Sequence, residues 1–175
     1  MTTKMLITYG SWADSTWEVA AKMAETLKAN LNIDIDVLPA KTVKDISTYQ
    51  AVVIGSSIRA GMFHPSIGKF IKRHRKVLSN IPSAFFISCL TMKEDNEANR
   101  NTTAAYMNKL YSKVPEFKPI ELGLFGGAVN YEKLPFLFRK MFEKSEEMAE
   151  GDFRDWNEIN RWIVETSNKL LLQTS

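Results

Sequence analysis

Apolar residues recur along the chain in two alternating rhythms, a short near-continuous run and then a stripe at three- and four-residue spacing, and this predicts strands and helices in turn. Met5, Leu6 and Ile7 form the first run, as expected for a central strand covered on both faces. Ala20, Met23, Ala24, Leu27 and Leu31 follow at helical spacing, with Glu18, Lys22, Glu25 and Lys28 turned outward. Ile33 to Leu38 alternates apolar and acidic residues and suits an edge or near-edge strand. Lys41 to Tyr49 is a connection with little helical room, and Ala51 to Gly55 is a buried third strand. Ile67, Phe70, Ile71 and Leu78 mark the inner face of the next helix, and Ser83 to Ser88 is a fourth strand. A helix with Tyr106, Met107 and Leu110 inward is predicted over Asn96 to Lys113, and a fifth strand over Ile120 to Gly126. Asp155 to Leu172 closes the chain as a helix with Trp156, Ile159, Ile163 and Leu170 on one face. Strands and helices in this alternation wind into an α/β sheet with right-handed crossovers.

Composition adds a size and a compartment. The 175 residues, 45% of them hydrophobic and 25% charged, suffice for a single domain with a full core, and no repeat or low-complexity segment divides them. Tyr131 to Glu150 lengthens the connection before the last helix as an insertion. The net charge of +3 and pI of 8.9 are mild. The one dense basic run, Lys69 to Lys76, shares its helix with inward Phe70 and Ile71, so it is expected to be a solvated face and not a nucleic-acid patch. A lone cysteine, Cys89, permits neither an intramolecular disulfide nor a multi-cysteine metal site, and no apolar signal core or membrane span is visible. A cytoplasmic protein without a metal is the expectation.

The chemistry begins where the first strand meets the first helix. Ser11, Ser15 and Thr16 offer hydroxyls there, and the opening N–H groups of a helix have no intrahelical acceptor. An anion satisfies both sets, aided by the helix dipole. No Lys or Arg lies between Gly10 and Trp17, so this is neither the Gly-Lys-Ser/Thr loop of triphosphatases nor a GxGxxG turn. The alternative reading is an ordinary capped helix start, with Asp14 or Ser15 as N-cap.

Ser11-x-x-Asp14-x-Thr16 resembles the flavodoxin phosphate loop, Ser/Thr-x-x-Gly-x-Thr, which implies that Ser11, Trp12, Ala13, Asp14, Ser15 and Thr16 hold the 5′-phosphate of FMN. Asp14 departs from the glycine of that pattern. A carboxylate about 6 Å from the phosphate would cost several kcal/mol at an effective dielectric near 20 and roughly one in water-like surroundings. Asp tolerates positive φ, so weakened binding is expected more than lost binding.

Val52 to Phe86 carries a closer resemblance, to the flavodoxin-domain family that includes the menaquinone-dependent protoporphyrinogen IX dehydrogenases of bacteria. Ile54, Gly55, Ser57, Ile58, Arg59, Gly61, His64, Phe70, Lys72 and His74 occupy the places of its Ile-Gly-x-Ser-Ile-Arg-x-Gly stretch, following His and Phe-x-Lys-x-His helix. Gly126-Gly127-Ala128 and Asp155-Trp156 also match. The resemblance implies a three-layer flavodoxin-like sandwich, a five-stranded parallel sheet of order 2-1-3-4-5, FMN at the strand ends and electron transfer as the activity. A response-regulator receiver shares that topology but needs acidic residues where this chain has Thr8, Tyr9, Gly55 and Ser56.

A flavin ring has a polar edge and two apolar faces, so its site needs rim donors and flat or aliphatic covers. Ser56, Ser57, Ile58, Arg59, Ala60 and Gly61, with Ser88, Cys89, Leu90 and Thr91, are the candidates for the second and third loops; Ile58, Leu90, Met92 or Trp12 would cover a face. Arg59 and His64 are the catalytic candidates, weighed against an ordinary surface Arg and a turn-shaping His. His74 falls on the apolar stripe as a satisfied core histidine, and Cys89 is expected to be an inert packed thiol. In the insertion Leu134, Leu137, Phe138, Met141 and Phe142 form a stripe that either packs on the core or offers a docking face to a quinone, a porphyrin-like ring or a membrane surface. An oxidoreductase acting on a bulky hydrophobic substrate leads; an electron carrier between protein partners and a module with weakened FMN binding are the alternatives.

Overall fold

The computed structural model describes residues 3–133, 136–142 and 150–174, with side chains at 136, 137, 139 and 140 in the second stretch. Its sheet places β1 (Lys4–Gly10), β2 (Asp34–Pro39), β3 (Ala51–Arg59), β5 (Ser83–Cys89) and β6 (Glu121–Gly126) in the parallel order β2-β1-β3-β5-β6, and the short β4 (Met62–Phe63) folds back antiparallel on the end of β3. Among the parallel strands this is the expected 2-1-3-4-5.

Strand residues alternate between two cores. Met5, Ile7, Val53 and Phe86 point to α1 (Ser15–Asn30) and α6 (Trp156–Leu172), where they meet Val19, Met23, Leu27, Ile159 and Ile163. Leu6, Val52, Ile54, Phe85 and Ile87 point the other way, to α2 (Pro65–Leu78) and to the pair α3 (Glu97–Ala105) and α4 (Met107–Tyr111). The sheet is thus the middle of three layers, and each large side chain buried in full contributes roughly 1.5–3 kcal/mol. Gly55 belongs to this packing: a Cβ there would run into the Phe86 ring on the neighbouring strand. On α2 the expected division holds, with Phe70, Ile71 and His74 buried and Lys69, Lys72, Arg73, Arg75 and Lys76 exposed.

Three boundaries differ from the sequence expectation. β3 runs on from Gly55 to Arg59, because its end finds partners on three sides: Ser56 pairs with Gly10 and Ile87, Ser57 with Ser88, and Arg59 with Met62 across the β4 hairpin. The helix expected over Asn96 to Lys113 breaks at Tyr106, whose N–H bonds three residues back to Thr103 at 3.2 Å. Leu31, placed on the inner face of α1, lies just past its end and is only partly buried.

After β6 the chain forms β7 (Ala128–Val129), and β8 (Gly151–Asp152) returns to pair with it antiparallel. Between them lie a short turn at Tyr131–Lys133 and α5 (Phe136–Phe142). Gly126 permits the return: a Cβ there would collide with the Phe153 carbonyl, and the Phe153 N–H donates to the Gly127 carbonyl at 3.0 Å. This seam brings the residues after β8 to the carboxyl end of the sheet.

Candidate functional site

The opening of α1 is built from backbone and leaves one side chain unanswered. Asp14 is the N-cap residue in the left-handed region at φ 61°; its carbonyl accepts from the Glu18 N–H at 3.0 Å, while its carboxylate caps nothing and is exposed. Ser11 Oγ accepts a long bond of 3.4 Å from the Thr16 N–H. Thr16 is fully buried, and its Oγ1 has no partner among the described residues. A buried hydroxyl left so costs roughly 1–3 kcal/mol, a cost that an anion seated on the loop would remove.

The loop is held from below by α2. A Cβ on Gly10 would come within 2.9 Å of His64, Ile67 and Ser66, so only glycine lets the strand end this close to the helix start. His64 is the N-cap of α2: its Nδ1 accepts from the Ser66 N–H at 3.3 Å and lies 2.8 Å from Ser66 Oγ. Its own N–H donates to Ser56 Oγ at 3.1 Å, and that hydroxyl donates in turn to the Ser57 carbonyl at 2.9 Å. Burial, reinforced by the nearby Lys41 charge, pushes the His64 imidazolium below the usual histidine range.

A largely apolar crevice opens at the carboxyl ends of β1, β3, β5 and β6. Trp12, Ala13 and Ser15 wall it on one side, Ser57, Ile58 and Arg59 on the next, then Ser88, Cys89 and Leu90, and finally Gly127, Ala128, Val129 and Asn130. Trp12 is 41% exposed; its ring stands 4.6 Å from that of His64 and 5.4 Å from the Arg59 guanidinium carbon. Ser88 Oγ donates to the Gly126 carbonyl at 3.1 Å and fixes the strand ends against each other. Cys89 is buried with Sγ 3.8 Å from Thr103 Oγ1.

Several expected residues stand elsewhere. Ala60 (φ 48°) and Gly61 (φ 68°) form the tight turn of the β3–β4 hairpin, and the Gly61 carbonyl accepts from Lys109 Nζ at 2.7 Å; neither lines the crevice. Ser56 is buried in the hairpin staple, and Thr91 sits in the short turn after β5 outside the lining. Met92, expected to cover a ring face, is buried in the core on the α2 side. His74 packs on Phe70 with ring centroids 4.8 Å apart, away from the crevice, as a buried histidine that is hydrogen-bonded to the Val43 backbone and whose Nε2 has no hydrogen-bond partner among the described residues. The sequence reading overlooked Gly127 to Asn130 as a wall, although the fifth strand's carboxyl end had to face the same crevice. In the insertion, Leu134 and the side chains of Phe138, Met141 and Phe142 lie outside the described residues, whereas Leu137 is exposed.

The flavodoxin domain family matches residues 6–155. The chain belongs to that family. Membership makes this a flavodoxin domain and FMN its cofactor, and the unanswered Thr16 hydroxyl at the helix start fits the phosphate that such a loop holds. The chain is similar to the protoporphyrinogen IX dehydrogenase [quinone] of Escherichia coli strain K12, at 26% identity over 94% of this chain and 95% of the relative. The enzyme of the same name from Leishmania major is 27% identical over 91% of this chain and 72% of the relative. Crystalline oxidised flavodoxin 2 of Bacillus cereus superposes with a TM-score of 0.62 over 95% of this chain and 99% of the other, at 14% identity, and shows the shared fold.

Proposed function

We propose that this flavodoxin domain is an FMN-dependent oxidoreductase whose substrate is a bulky, hydrophobic and oxidisable molecule of the protoporphyrinogen class, with a quinone as electron acceptor. The observation that supports it is the largely apolar wall of the crevice: Trp12, Ile58, Leu90, Ala128 and Val129 line it together with small hydroxyls, the Cys89 thiol and the Asn130 carboxamide, and Arg59 brings its one guanidinium among the lining residues. A large apolar ring is desolvated favourably against such a surface, and the curated relatives that span nearly the same length carry that activity in their names. Bound FMN supplies reversible one- and two-electron exchange.

The residues of the chain do the rest. Ser11, Thr16 and the opening amides of α1 hold the phosphate, and Ile58, Leu90 and Trp12 exclude water from the ring faces. Arg59, whose planar guanidinium offers a fork of donors, steadies negative charge on reduced flavin or on a substrate carboxylate. His64 stands one ring removed, behind Trp12, and its Nδ1 is engaged with Ser66; its role is to position the loop.

The test is a turnover screen on FMN-loaded protein, recognised by its absorbance at about 450 nm. Oxidation of protoporphyrinogen coupled to quinone reduction is the expected result. Reduction by a protein partner with no turnover of either small molecule would overturn it in favour of an electron carrier, a reading to which the exposed Lys69, Lys72, Arg73, Arg75 and Lys76 face of α2 lends some support as a dock for an acidic partner.

A further inference from the structure

The phosphate loop has no cation of its own, and among the described residues Lys133 and Arg154 stand over the first turn of the helix that follows it. Lys133, in the turn after β7, places Nζ 2.8 Å from Glu18 Oε1. Arg154, just after β8, places Nη1 2.6 Å from Glu18 Oε2 and 3.3 Å from the Ser15 carbonyl. The Arg154 side chain is 7% exposed, is held by Asp152 at 2.6 Å through its other terminal nitrogen, and lies with its guanidinium carbon 4.5 Å from the centroid of the Trp156 ring. Both cations line a polar pocket that shares Ala13, Ser15, Ala128, Val129 and Asn130 with the crevice. Without them the first turn of α1 would present Asp14 and Glu18, two carboxylates, to an incoming dianion.

We infer that Lys133 and Arg154 are the charge partners of the flavin phosphate, positioning residues that act across the first turn of α1 by neutralising Glu18, with Arg154 shared between Glu18 and Asp152. Affinity for the phosphorylated flavin then depends on the connection between β7 and β8, whereas affinity for the bare isoalloxazine does not. This rests on FMN occupying the crevice. Arg154 is held by three groups and cannot swing onto the phosphate without leaving Glu18, so its contribution is a fixed field more than a direct bond. Lys133 is exposed enough that its contribution is screened by salt.

The experiment measures the dissociation constants of FMN and of riboflavin, which lacks the phosphate, on the full apo chain by flavin fluorescence quenching. Lys133→Met should weaken FMN by several-fold to roughly tenfold at low ionic strength, less at high salt, with riboflavin affinity unchanged. Arg154→Lys, which keeps the charge, should lose less than Arg154→Gln. Equal losses for FMN and riboflavin, or an FMN affinity that Lys133→Met leaves intact, would overturn the inference. Wild-type protein that binds neither flavin would overturn the FMN assignment, and the inference with it.

Discussion

The indole of Trp12 and the imidazole of His64 stand 4.6 Å apart and tilted by 59°, and this contact joins the first loop to the helix that follows the second. His64 is neutral in that position because burial lowers its pKa. A lowered folded pKa means that the unfolded chain takes up the proton first, so stability is full above about pH 6.5 and falls as the pH drops through the folded value. His64→Asn keeps a side-chain acceptor for the Ser66 N–H but does not titrate. Thermal midpoints measured from pH 8 to 5 should slope downward in the wild type and be flatter in the variant; parallel slopes would show that His64 does not govern this range.

Thr16 separates cofactor binding from stability. Its hydroxyl is buried and unanswered, so Thr16→Val removes a group the apo fold does not use. Apo stability should be unchanged or slightly higher, while FMN affinity should fall by about 1–3 kcal/mol through loss of a charge-assisted donor. Denaturant melts and FMN titrations give the two numbers, and a variant that loses stability but binds FMN as before would place the phosphate elsewhere.

Asp14 combines a backbone cost with a charge cost. At φ 61° glycine is unstrained, and the carboxylate of Asp14 makes no capping bond. Asp14→Gly should bind FMN several-fold tighter, and Asp14→Asn should recover the electrostatic share alone. Equal affinity in all three proteins would show that solvent screens the exposed carboxylate completely.

Ala60 carries a similar backbone strain in the β3–β4 turn. It precedes Gly61 in a two-residue turn where both positions have positive φ, and alanine pays for this where asparagine or glycine would not. Ala60→Asn should raise stability by roughly 1 kcal/mol, a rise of about 2–4 °C in Tm for a chain of this size. An unchanged Tm would mean that the turn relaxes when the side chain is altered.

What the sequence shows and hides follows from the range of each interaction. The five strands were legible because their signals are local: Met5 to Ile7, Ala51 to Gly55 and Ser83 to Ser88 are short apolar runs, and helical stripes separate them, whereas the order of the sheet came from the resemblance carried by the first and second loops. The loop from Ser11 to Thr16 was legible because its chemistry lies within six consecutive residues. Ser56 to Arg59 was read as loop because hydroxyl and charged side chains mask strand character, and only pairing with β4 and β5 keeps the backbone extended. The charge around the phosphate loop was invisible for a further reason. Arg154 meets Ser15 across 139 positions, through a seam that depends on Gly126 making room for Phe153.

Glu18 is the acid at which that long-range charge can be titrated. Lys133, hydrogen-bonded to it, and Arg154 hold its carboxyl below the usual range against an opposing effect of burial. A depressed folded pKa contributes stability that is present above the unfolded value, about 4.3, and is lost as pH falls through the folded one. Glu18→Gln should lower stability at pH 7 by about 1–2 kcal/mol, since among the described residues the nearly buried Arg154 then keeps Asp152 alone as an ionic partner. The difference in midpoint between wild type and variant should narrow as pH is lowered from 5 to 3, because below about 4.3 the unfolded wild-type chain takes up a proton that the paired, folded carboxylate resists. A difference that persists unchanged at pH 3 would show that the glutamate acts through packing and not through its charge.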